Sequence, residues 1–129
     1  MNILRSVDIE EEIRMALNNY VTVYVRPLPE NFATPSVLVE LMGGTSQNTI
    51  DTFLVRLSSR ATTDAEALET LRTALGILDH QSKEQIGEIR YSVENNLMSW
   101  GNDPIRQDLK LCSATVNVTA HKESFTIES

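Results

Sequence analysis

A single cysteine, Cys112, is all the sequence holds. No disulfide can close within the chain, which excludes a stapled secreted scaffold. Aromatic residues are scarce at 5%, so the core must be built from Leu, Ile and Val, and little remains for stacking on bases or sugars. Basic charge is short too: 11 Lys and Arg against 18 Asp and Glu leave a net charge of −7. A sequence-independent nucleic-acid binder needs a basic footprint to release counterions from phosphate, and an anionic membrane surface attracts the same kind of patch. The scattered cations supply neither. No run reaches the roughly 20 apolar residues of a membrane-spanning helix. Residues 1–10 turn acidic before an apolar signal region forms, which predicts a cytoplasmic protein. Asn117-Val118-Thr119 matches a glycosylation sequon, a coincidence in such a chain.

What is present reads as one folded unit. A length of 129 residues with 41% hydrophobic content predicts a single domain over 1–129. Ser6 or Asp8 can cap an opening helix whose Ile9, Ile13, Ala16, Leu17 and Tyr20 recur at helical spacing. Glu10, Glu11 and Glu12 fall in its first turn as a solvated acidic start, where the helix dipole favours carboxylates. Val21, Val23 and Val25 then alternate with polar residues as in a half-buried strand that Pro27 ends. Val37–Met42 and Thr52–Ser59 predict a hairpin around a Gly43–Asn48 loop. Thr63-Asp64-Ala65-Glu66 is a capping box for a second helix, with Leu68, Leu71, Leu75 and Leu78 on one face, Ala67 and Ala74 beside them, and an end near Asp79–Gln81. Ile86–Val93 alternates again, 95–104 is a polar loop, and Leu109–His121 is a long last strand with a β-bulge near Leu111–Cys112. Phe125 and Ile127 can add a short strand. The fold class is therefore α+β: a mixed or antiparallel sheet of about five strands with two helices packed on one side.

The residues that carry chemistry do not converge. His80 at a helix end answers the negative helix C-terminus, and two histidines with one cysteine make no zinc spacing. Cys112 and His121 sit nine residues apart on one extended segment, roughly 30 Å at strand rise, so Cys112 reads as a small buried apolar residue. Gly43-Gly44-Thr45 lacks the Gly-Lys-Ser/Thr ending of a phosphate loop, and no helix follows it. No carboxylate pair is set apart for acid–base work. The reading is a non-enzyme with no catalytic residues, no metal and no cofactor.

Two segments invite a partner instead. Leu97, Met98 and Trp100 sit in an otherwise polar loop, where apolar side chains either tuck under the domain or anchor an interface. Gly43, Gly44 and Thr45 can form a hairpin arm that orders on a partner.

The order of elements resembles the tail terminator proteins of long-tailed bacteriophages and the related minor tail and neck components. The resemblance is carried by Val7–Asn19 leading into Val21-Thr22-Val23-Tyr24-Val25, by the Thr63–Asp79 helix after the Phe53–Ser58 strand, and by the Trp100-Gly101-Asn102-Asp103-Pro104 turn, with Arg106, feeding Leu109–His121. It covers nearly the whole chain as a pattern of elements without a diagnostic motif. It implies a ring of copies, often a hexamer, that caps the tail tube and joins the head–tail connector proteins. The ring would assemble in the host cytoplasm and remain in the virion, with DNA only as passing cargo and no membrane. An acidic ring would repel that DNA and ease its passage. The alternatives are a head-closure or tail-completion neck protein, an α+β adaptor or chaperone binding one partner outside phages, and a small enzyme using Asp and Glu.

Overall fold

The computed structural model describes residues 1–93 and 98–128. The chain runs β1 (Asn2–Arg5), α1 (Ile9–Leu17), β2 (Val23–Val25), β3 (Ser36–Gln47), β4 (Ile50–Ala61), α2 (Asp64–Lys83), β5 (Arg90–Ser92), β6 (Ser99–Asn102), β7 (Lys110–His121) and β8 (Glu123–Thr126). Six strands form one sheet in the order β2-β3-β4-β7-β5, with β6 also on β7; β1 and β8 pair apart from it. The β2–β3 contact is parallel and the others in the large sheet are antiparallel. This is the α+β fold expected, with one strand more in the main sheet.

Sequence alternation decides which face is dry. In β4, Phe53, Val55, Leu57 and Ala61 are buried, and in β7 Cys112, Ala114, Val116, Val118 and Ala120 are. Both helices press on that face: Ile9, Ile13 and Leu17 from α1, and Ala67, Leu71, Ala74, Leu75 and Leu78 from α2, join one cluster with the strands. Ala67 and Ala74 lie inside the stripe rather than beside it, bringing α2 close to the sheet, while Leu68 is only half-buried. Asp8 caps α1 by accepting from the Glu11 amide at 3.3 Å, and Thr63 caps α2 by accepting from the Glu66 amide at 3.2 Å. The α2 helix runs on to Lys83, past the expected stop.

Several expectations are corrected. Tyr20 is exposed, because α1 ends at Leu17 and the face it was to share ends with it. No β-bulge lies near Leu111–Cys112: β4 and β7 pair without a break from Ile50↔His121 to Ala61↔Lys110. Leu109 is buried from the turn before β7, so it never shared the strand's period. The register shift falls instead in β3, between Leu41 and Gly43.

Gly43–Asn48 is not a loop. Gly43 to Gln47 continue the β3–β4 ladder, and the turn shrinks to Asn48–Thr49, with Asn48 at φ 50, a left-handed conformation that asparagine tolerates. Polar loop 95–104 likewise contains β6, paired with β7 from Ser99↔Ser113 to Asn102↔Lys110. Among the described residues, β1 had no sequence signal: four residues too short and exposed to show a period. No helix among the described residues is long and apolar enough to cross a membrane.

Candidate functional site

The two segments singled out as partner surfaces lie at opposite margins of the sheet. Gly43, Gly44 and Thr45 stand on β3, Met98 precedes β6, and Trp100 stands on it; β4 and β7 run between. They form two separate patches. Leu97 falls outside the described residues. Met98 and Trp100 do not tuck under the domain: they are 40% and 52% exposed.

The β3 margin is guarded over only part of its length. Parallel β2 covers Val37–Val39. At Leu41 side chains take over: the Glu10 carboxylate accepts from the Leu41 amide at 2.8 Å, and Arg26 ties Glu10 down while reaching the Leu41 carbonyl at 3.4 Å. Glu10 is thus a cap on a strand edge and more than a solvated helix start. From Met42 to Gln47 every residue is exposed, and no other strand among the described residues pairs with that side. Residues 41–50 carry no charge at all.

Behind this margin lies a pocket of about 210 Å³ lined by Ser6, Leu41, Gly43, Gly44, Asp51 and Phe53 among others. Its floor needs a glycine: a Cβ on Gly44 would stand 2.2 Å from the Thr52 carbonyl oxygen. Asp51 is the unusual member. It is 2% exposed, yet neither carboxylate oxygen has a hydrogen-bond partner in good geometry. The Ser6 hydroxyl nearby, opposed by desolvation and helped by Ser46 and Lys122, holds the carboxyl below its ordinary range. Lys122 Nζ stands 4.0 Å from Oδ1, at the outer limit of an ion pair. A buried carboxylate with unfilled acceptor sites asks for a donor. Sequence reasoning missed Asp51, since an acid opening a strand carries no signal of the bulge and glycines that hollow out its surroundings.

A second, larger groove of about 450 Å³ runs between α1, α2 and β5, lined by Glu12, Met15, Ile86, Glu88, Tyr91 and His121 among others. Burial, with Glu12 adding to it, pushes the Tyr91 phenol up to about 12, so it stays protonated at neutral pH. Cys112 is fully buried, and burial, then the Asp64 charge, pushes its thiol up, opposite to what a nucleophilic thiolate requires. Its face of β7 is the core face, whereas His121 is exposed. Among the described residues no group of three His, Cys, Asp or Glu is placed to hold a metal.

On the sheet face away from the helices, Asp103 binds the loops together. Its carboxylate accepts from Arg60 Nε at 2.7 Å and from the Ile105 and Arg106 amides at 2.9 and 2.7 Å. Arg106 in turn stands over the Phe32 ring, 5.2 Å from its centroid. The Trp100–Pro104 stretch is therefore anchored at its acidic end while its tryptophan faces solvent.

Compared with known proteins, the sequence matches no family model and no curated protein.

Proposed function

We propose that this chain is a structural assembly protein that works as a ring of identical copies, and that the ring is the tail terminator of a long-tailed phage. The observation that carries the proposal is the exposure of large apolar side chains at both margins of one sheet: Met42 at 50% on one side, Met98 and Trp100 on the other. Apolar groups left in water at two margins favour association, and two different patches on one subunit give a head-to-tail contact that can close into a ring.

The element order fits the same role. A capped helix, a parallel strand, a long hairpin, a second helix and a long closing strand leave no catalytic constellation to explain among the described residues. The net charge of −7 suits a channel through which DNA passes without sticking. A basic lumen in a cryo-EM map of the ring would contradict that part of the proposal.

The groove between α1, α2 and β5 favours one second reading, an adaptor that binds a single partner chain, since Met15 and Ile86 line it at 52% exposure each. Electron microscopy of tail tubes incubated with the purified protein separates the two. The terminator reading expects a ring on one end of each tube and an arrest of further growth. Tubes that remain bare and continue to lengthen count against it, and a one-to-one complex with some other chain would support the adaptor.

A further inference from the structure

This inference rests on the ring reading above and says how the copies join. We propose that β6 of one copy adds as an antiparallel strand to the open Met42–Gln47 edge of the next, with Trp100 seated in the pocket beside Asp51 and its indole N–H donated to the buried carboxylate.

The two halves of this contact are complementary, an acceptor in a pocket and a donor on an exposed side chain. The Asp51 pocket holds a buried carboxylate that has the Ser6 and Ser46 hydroxyls and, 4.0 Å away, Lys122 for neighbours, yet neither oxygen has a hydrogen bond in good geometry. The indole N–H of Trp is a donor with no acceptor capacity, and Trp100, the only tryptophan, is 52% exposed. The two share a face of the sheet. Trp100 pairs with Cys112, a core-side residue of β7, and Gly44 pairs with Phe53, a core-side residue of β4. A neighbour's Trp100 laid opposite Gly44 therefore points over the bare glycine backbone into the pocket. That register puts Ser99 opposite Thr45, Gly101 opposite Gly43 and Met98 opposite Ser46.

Strand direction agrees. Three successive antiparallel pairings lead from β3 through β4 and β7 to β6, so β6 runs opposite to β3 and a further copy in the same orientation meets it antiparallel. Within one chain Trp100 is level with Val37, through Cys112 and Ser59. Moving from Val37 to Gly44, less the bulged residue, is a stagger of roughly 20 Å over four strand spacings of roughly 19 Å. The strands would tilt by roughly 45°, at the steep end of what closed sheets adopt.

Edge protection tells the same story. Natural sheets guard open edges with charge, proline or covering segments. Here β2 is followed by Arg26-Pro27, β5 opens on Arg90 with Glu88 just before it, and Glu10 covers Leu41, whereas 42–50 and 98–102 carry no charge. The two unguarded edges are the two this contact joins. Pairing β3 with its own copy across a two-fold would leave β6 and Trp100 unused.

The test is disulfide cross-linking in a Cys112→Ser background, with sedimentation velocity on the same samples before oxidation. Thr45→Cys with Ser99→Cys should give a ladder of covalent oligomers up to ring size, at least tenfold more cross-linked product than either single cysteine. Trp100→Ala, at an exposed position, should leave the fold intact and weaken assembly at least tenfold, while the tryptophan emission of the unmodified chain shifts to the blue as copies associate. Rings without the paired ladder would overturn this contact and leave the ring reading standing. A covalent dimer from Thr45→Cys alone would overturn it in favour of symmetric pairing. A monomer at every concentration would overturn both.

Discussion

Asp103 and Arg60 form an ion pair that is buried on both sides, with side-chain exposures of 5% and 11%. Desolvation alone would raise the Asp103 carboxyl, but the Arg106 amide, the Arg60 guanidinium and the Ile105 amide outweigh it and hold the group below the usual carboxylate range. A carboxyl depressed in the folded state stabilises the fold above its unfolded pKa of about 3.9, and the stabilisation is lost as pH falls through the lower folded value. Stability should therefore drop on acidification below about pH 4, and the drop should be shallower in Asp103→Asn, which is already weakened at neutral pH. Because that substitution leaves Arg60 buried without its counter-charge, urea unfolding at pH 7 should show a loss of about 3–5 kcal/mol. The acidic residue before Pro104 was legible in the sequence as part of a turn. Its partner was not, because Arg60 arrives from a strand 43 residues away in sequence, and no local pattern reports such a meeting.

Among the elements, α2 was the most legible and the strand margins the least. Leucines at helical spacing and a Thr-x-x-Glu start specify a helix from local chemistry alone. Thr63→Ala, which removes the acceptor for the Glu66 amide, should cost about 1 kcal/mol in thermal unfolding. Leu71, fully buried where α2 meets the sheet, should cost about 2–5 kcal/mol as Ala. Strands β3 and β6 misled for one reason: glycine, serine and asparagine are turn formers by propensity, yet a ladder already begun at Val37 or at Lys110 holds such residues extended. Gly44 would have pointed the right way had its role been visible, since it serves a close backbone approach to Thr52 and no turn. Gly44→Ala should thus displace the distal hairpin while leaving α2 and the β4–β7 ladder protected in amide exchange.

At the scale of the whole molecule, composition bears on the type of partner and the margins of the sheet suggest where it sits. Scarce aromatics and an acidic balance argue against nucleic-acid grip, while two uncharged edges on one sheet favour self-association. The proposed site was half-legible: Gly43, Gly44, Thr45, Met98 and Trp100 were read as partner surface, whereas Asp51 and the pocket emerge only when the bulge and the β1–α1 connection are in place. The most direct test of the central claim is native mass spectrometry of the intact protein across a wide concentration range. The account predicts a closed oligomer of about six copies, set by head-to-tail contacts, that grows in abundance with concentration without passing to larger species. A monomer that persists at the highest concentration would contradict it.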